Sequence, residues 1–138
     1  ASSDSRGIEA DGNPDNNAAT PFTNPTVNEV TLIGRGTTFA GTQLQGIYLR
    51  RGVKGKITNV FVKGYKIGVG VEHDLTLAAM TAGDLKVSTI QFDDVTTKTS
   101  GKTSAGASAV TTSVIVEGTA TGAGSTTATK PSWAGFIK

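Results

Sequence analysis

Apolar residues return along the chain in short beats, and the beats repeat. Shifted by thirty residues, Val27-Asn28-Glu29-Val30-Thr31-Leu32-Ile33-Gly34 lies over Ile57-Thr58-Asn59-Val60-Phe61-Val62-Lys63-Gly64. A second shift of thirty reaches Val87-Ser88-Thr89-Ile90-Gln91-Phe92-Asp93-Asp94. Positions 27/57/87, 30/60/90 and 32/62/92 are apolar in all three copies, while 28/58/88 and 29/59/89 are polar in all three. A shorter shift sets Val114 and Val116 over Ile90 and Phe92 as a weaker fourth copy. A second beat falls between these copies, at Gly7-Ile8-Glu9-Ala10, Gly46-Ile47-Tyr48-Leu49 and Gly68-Val69-Gly70-Val71-Glu72. Each beat alternates inward and outward residues and ends in Gly, Asp, Asn or Lys, as strands bounded by turns do. The best helical candidate is Leu75–Met80, at most two turns. The chain reads as all-β.

Coils of roughly 22–30 residues holding two or three short strands describe a parallel β-helix, in which like positions stack about 4.8 Å apart. Val30, Val60 and Ile90 would then form one internal aliphatic ladder, and Leu32, Val62 and Phe92 its neighbour. About five coils give a column of roughly 24 Å at that spacing. An antiparallel β-sandwich also has regular short strands. It does not require repeats that match position by position, so the pattern favours the β-helix. The end coils of a short solenoid need caps, and neither terminus offers an amphipathic capping helix. The expectation is therefore a piece of a longer column, or ends that pair with other chains. The aromatic tail Trp133/Phe136/Ile137 is a candidate cover.

Composition adds boundaries within what reads as one domain. Residues 1–26 form an Asp/Asn-rich leading coil, 27–95 carry the β-helix repeats, and 96–138 form a Thr/Gly/Ala-rich weak coil with the aromatic tail. A domain near 138 residues buries roughly 70% of its unfolded surface. With a formal charge of only +2 the chain lacks an electrostatic grip on nucleic acid. No window approaches the roughly 18 apolar residues of a membrane span. The absence of cysteine removes disulfides, thiolate zinc sites and a Cys nucleophile.

The succession Ser5-Arg6-Gly7-Ile8-Glu9-Ala10-Asp11-Gly12-Asn13, Pro25-Thr26-Val27-Asn28-Glu29-Val30-Thr31-Leu32-Ile33-Gly34, Gly46-Ile47-Tyr48-Leu49-Arg50-Arg51-Gly52 and Thr58-Asn59-Val60-Phe61-Val62-Lys63-Gly64-Tyr65-Lys66-Ile67-Gly68 has a counterpart. Over roughly residues 5–95 it resembles the C-terminal part of a large group of uncharacterised bacterial cell-surface proteins. These are often labelled lipoproteins and come from Bacteroidetes and marine Gram-negative bacteria. The resemblance implies a right-handed parallel β-helix and an extracellular or outer-surface location. It supplies no catalytic residue. Members of that group usually carry further coils upstream, which fits a piece of a longer column.

Candidate chemistry is sparse. Asp11-Gly12-Asn13-Pro14-Asp15-Asn16-Asn17 offers oxygen ligands at alternate positions that suit Ca²⁺, with Asp11, Asn13 and Asp15 first and Glu9 fourth. It lacks the spacing and distal Glu of an EF-hand, and an Asx-rich turn is the plainer explanation. Arg50 and Arg51 with Lys54 and Lys56 make the densest basic cluster, which Lys63 and Lys66 extend. Guanidinium forks suit the carboxylates and sulfates of acidic polysaccharide, or an acidic ladder on a neighbouring coil. Tyr48, Phe61, Tyr65 and Trp133 would stack on sugar rings if they point outward, and alternation sets Phe61 out of phase with Val60 and Val62. Arg50, Arg51, Lys54, Tyr48 and Phe61 are the ligand-binding set this pattern nominates.

Catalysis has less to stand on. His73, the only histidine, lies in Glu72-His73-Asp74 with no nucleophile tied to it. Asp93 and Asp94 are adjacent in a strand and so face opposite sides, whereas glycoside hydrolysis needs two carboxyls at a set separation. A lyase reading would use calcium near Asp11–Asp15 and Arg51 as proton acceptor, but needs carboxylates on one face. No phosphate-cradling loop, Ser–His–Asp order or zinc motif is present. The Thr/Ser-rich stretch 96–130 reads as a low-complexity loop or a chain of weak strands. The function expected is a non-enzymatic extracellular β-helix with a structural or adhesive role, assembling through its open ends. A polysaccharide-binding module is the alternative, ahead of a lyase or hydrolase.

Overall fold

Strict alternation cannot turn both Val27 and Val30 inward, because they are three residues apart. The computed structural model, which describes residues 6–42, 44–109 and 114–123, shows how the chain resolves this. Glu29, Asn59 and Thr89 have φ of 60°, 54° and 52°, so one residue per coil adopts the left-handed conformation at the same register. That residue bends the strand and resets its phase, so the apolar position after it faces the interior again. The device recurs at Gly64 (φ 72°) and Asp94 (φ 49°), between Val62 and Tyr65 and between Phe92 and Val95. Gly64 meets the requirement without a Cβ clash, whereas the other positions hold non-glycine residues in a region that normally costs energy.

The elements in chain order are β1 (Ile8–Asp11), β2 (Thr26–Ile33), β3 (Gln45–Arg50), β4 (Gly55–Glu72), α1 (Asp74–Ala82), β5 (Leu85–Lys102) and β6 (Ile115–Glu117). All named strand pairings are parallel. Because β4 and β5 bend at their left-handed residues, each contributes to two faces of the column. One face stacks β2, the first half of β4, the first half of β5, and β6. The other stacks β1, β3, the second half of β4 and the second half of β5. Each face is four levels deep among the described residues, one fewer than the five coils expected. The protein is an all-β parallel β-helix.

The predicted ladders form. Val30, Val60 and Ile90 stack in register, as do Leu32, Val62 and Phe92, and Ile8, Ile47 and Val69 make the corresponding row of the second face. Ile47, Leu49, Val60, Val62, Val69, Val71, Val87 and Ile90 are fully buried, which places the core along the column axis. Burying a side chain of this kind contributes roughly 1.5–3 kcal/mol. The repeat of thirty holds from Val27 to Ile57 to Val87, while the first coil, Ile8 to Ile47, spans 39 residues because it carries the segments between β1 and β3.

Two expectations need correction. The fourth copy is set by Ile115 over Val87 and Val116 over Ser88, not by Val114 and Val116 over Ile90 and Phe92. Ile115 is the residue that enters the core, and Val116 points out at 56% exposure. The helix spans nine residues rather than two turns. Ala79 and Met80 sink into the core, and the chain leaves through Gly83, whose N–H donates to Met80 O while Asp84 N–H donates to Ala79 O. Within the Thr-rich stretch, residues up to Lys102 complete β5 as a full-length strand on the second face. The aromatic tail lies outside the described residues.

Candidate functional site

Parts of the ligand-binding and metal-binding sets nominated from the sequence turn out to be neighbours: Tyr48, Arg50 and Arg51 with Glu9 and Asp11. Parallel pairing of β1 with β3 puts Asp11 beside Arg50 and Glu9 beside Tyr48 on the outward side of the second face. The register continues through Glu72 to Lys102, so one row reads Asp11, Arg50, Glu72, Lys102, alternating in sign at each coil. Opposite charges on directly paired strand positions attract, and the row has that arrangement at every step.

Side-chain geometry follows the register. Arg50 grips Asp11 with two parallel bonds, Nε to Oδ1 at 2.5 Å and Nη2 to Oδ2 at 2.9 Å, and Nη2 also donates to Glu9 Oε1. Such fork-on-carboxylate pairs are the strong class of ionic hydrogen bond. Arg51 Nη1 donates to Asp11 Oδ2 at 3.0 Å, and Arg6 Nη1 donates to Glu9 Oε2. Two guanidiniums lie against the Tyr48 ring, Arg6 4.3 Å and Arg50 4.9 Å from its centroid. Gly70 sits beneath the ring, where a Cβ would come within 3.2 Å of Tyr48 Cδ2. Tyr48 is only 5% exposed although it points away from the core. Burial, and after it the influence of the Glu72 carboxylate, push its phenol up to about 12. Asp11 in turn raises the Arg50 guanidinium pKa above its ordinary value.

The remaining nominated residues sit as follows. Asn13 Oδ1 accepts the N–H groups of Asp15 and Asn16, so this stretch is an Asx-type turn, and Asp15 is exposed. Among the described residues no three His, Cys, Asp or Glu side chains gather as a metal would need, and a cation at Asp11 would have to displace two guanidiniums. Lys54 pairs with Asp84 at 2.9 Å and lies over the Phe22 ring. Lys63 pairs with Asp93, its partner one coil on. His73 Nδ1 accepts the Arg51 N–H at 3.3 Å, and Thr76 Oγ1 accepts the Gly52 N–H at 2.9 Å, which satisfies the sharp turn after β3. Asp94 stands at a bend of β5 and is exposed.

Phe61 requires correction. Alternation predicts an exposed or partly covered ring, and it does point away from the core, yet it is only 2% exposed. After β6, residues 118–123 run back down the column across the strands. Gly118 N–H donates to Ile90 O, Ala120 N–H to Gln91 Oε1, Thr121 and Gly122 N–H to Asn59 Oδ1, and Ala123 N–H to Thr31 Oγ1. Thr31, Phe61 and Gln91 are one register row, so the strap lies over that row and closes off Phe61. Sequence reasoning missed the strap. Its residues, Gly118-Thr119-Ala120-Thr121-Gly122-Ala123, carry no strand or turn pattern that announces where they dock.

A parallel β-helix with an outward row on its second face whose charges are matched coil against coil is the class these observations define. The sequence matches the pectate-lyase-like β-helix domain family over residues 1–137, and the chain belongs to that family. No curated protein and no solved structure matches it. No helix among the described residues is long and apolar enough to cross a membrane.

Proposed function

We propose that the chain is a non-enzymatic β-helical module with a structural or adhesive role, working outside the cell or on a bacterial outer surface. The observation that carries this reading is the closed cluster on the second face. Arg6, Arg50 and Arg51 answer Glu9 and Asp11, and two of those arginines lie against the Tyr48 ring. The groups best suited to bind a ligand or move a proton are therefore spent on joining one coil to the next. A column built this way gains cohesion along its axis, which is what a load-bearing or adhesive module needs.

The proposed role includes association through the column's ends. β1 and β2 stand at one end with one hydrogen-bonding edge unpaired among the described residues, and Ile33 at the end of β2 is 45% exposed. A strand edge of this kind is a template for pairing with another chain. Light scattering across a concentration series, with a parallel incubation on neutral and acidic polysaccharides, tests the proposal. The expected result is mass above that of the monomer and polymer of unchanged length. A strict monomer, or shortened polymer, contradicts it.

A further inference from the structure

The outward side of the first face changes character at its last level. Parallel pairing sets Val116 of β6 beside Ser88 of β5, and two residues before Ser88 the strand places Lys86 beside Lys56. Val116 is the most exposed large hydrophobic residue among those described. It belongs to a cleft of about 350 Å³ between β6, the start of β5 and the end of α1. Val114 and Val116 line this cleft together with the buried Met80, Leu85 and Val87, and Lys86 is among its few polar residues. Small-molecule sites span roughly 300–1,000 Å³ and share this make-up, apolar walls with a few placed polar groups.

Lys86 supplies the charge. It is exposed, and among the described residues it makes no ion pair. Asp84, the carboxylate nearest to it in the chain, is already held by Lys54. The Lys86 ammonium lies 3.8 Å from where a Cβ on Gly83 would sit, which places it at the C-terminal end of α1. That end of a helix carries partial negative charge and holds a cation, and α1 has no basic residue of its own in its last turn. Lys56, its partner in the register, repels it. An anion at this point would answer both lysines, and an apolar chain attached to it would cover Val116.

We infer that this cleft binds a free medium-chain alkyl carboxylate such as decanoate, with the chain against Val114 and Val116 and the carboxylate on Lys86. A neutral chain leaves the ammonium unanswered, and a small anion leaves Val116 in water. The combination of apolar wall and single unpaired cation selects a ligand that has both parts. The site uses no residue of the ion-paired cluster on the second face, and its failure leaves the cohesive role proposed above untouched.

The test is calorimetric titration of the full chain with decanoate below its micelle concentration, beside hexanoate and decyltrimethylammonium. Each methylene withdrawn from water is worth roughly fourfold in affinity, so hexanoate should bind at least about tenfold more weakly than decanoate. Lys86→Gln is expected to weaken decanoate binding about tenfold by removing the charged partner. Val116→Asp should weaken it by at least about as much, through loss of apolar wall and repulsion of the carboxylate. Both positions are exposed, and an unchanged melting temperature would show that the fold is kept. Lys98→Gln, at a lysine paired with Glu117, is the control and should leave binding within about twofold. Absence of decanoate binding overturns the proposal, as does equal affinity for decyltrimethylammonium or a loss in Lys86→Gln no greater than in the control. Sedimentation with phosphatidylglycerol vesicles without binding of free decanoate would mark a membrane contact instead, and overturns it as well.

Discussion

The two faces of the column share one backbone geometry and differ in how they treat their outward side chains. On the face made by β1, β3 and the second halves of β4 and β5, charge alternates from coil to coil and two guanidiniums lie against an aromatic ring. On the face made by β2 and the first halves of β4 and β5, one outward row is covered by the chain's own strap and another sets lysine on lysine. Stacking at a fixed spacing magnifies whatever a row contains. Matched signs become a ladder of bonds, and like signs become a strip of field that points at solvent.

The largest expected effect leaves the two faces indistinguishable. Ile47→Ala beneath one face and Ile90→Ala beneath the other should each cost about 3 kcal/mol in urea unfolding, because both side chains are fully buried in the same core. A much smaller loss at either would mean that its half of the column is not packed as described. The outward rows then separate the faces. Arg50→Ala leaves Asp11 and Glu9 without their main partner and should cost about 1–2 kcal/mol, whereas Lys56→Gln should cost nothing.

The strap gives a third contrast, of similar or smaller size. Asn59→Ala removes the acceptor of the Thr121 and Gly122 N–H groups and puts a Cβ-restricted residue at φ 54°, for a loss of about 1–2 kcal/mol. Asn59→Gly restores the backbone freedom but not the bonds. Faster hydrogen exchange at the Thr121 amide in both variants would confirm the strap, and unchanged protection would remove it.

The smallest effect is alkaline. Tyr48 has its phenol raised to about 12, against about 10 in an unfolded chain, so the folded state holds its proton more tightly. That contribution is complete below pH 10 and is lost as the pH rises from 10 towards 12. Burial raises the Tyr65 phenol in the same direction. Melting temperature should therefore fall across this window, and fall less in Tyr48→Phe. An unchanged slope in that variant would show that the ring is not held as described.

The interior was the legible part of the fold. Apolar residues at 27/57/87, 30/60/90 and 32/62/92 point inward because burial selects them for hydrophobicity, and that selection is visible as a repeat. The bend that makes the spacing work was not legible. Glu29, Asn59 and Thr89 share a backbone conformation and no side-chain chemistry, and only Asn is a common occupant of that region. The candidate site was half legible. Asp11 and Arg50 were each singled out by residue type, but their pairing depends on a first coil 39 residues long that breaks the repeat of thirty. Phe61 misled because alternation gives direction, while burial also depends on what lies above the face.

A double-mutant cycle on Asp11 and Arg50 addresses the central claim, that this cluster is spent on joining coils. Asp11→Asn, Arg50→Gln and the pair would be compared with the parent by urea unfolding. The account predicts a favourable coupling of about 1–2 kcal/mol, as expected for a partly buried fork-on-carboxylate pair. A coupling indistinguishable from zero would mean that the two side chains are free to serve a ligand, and would contradict it.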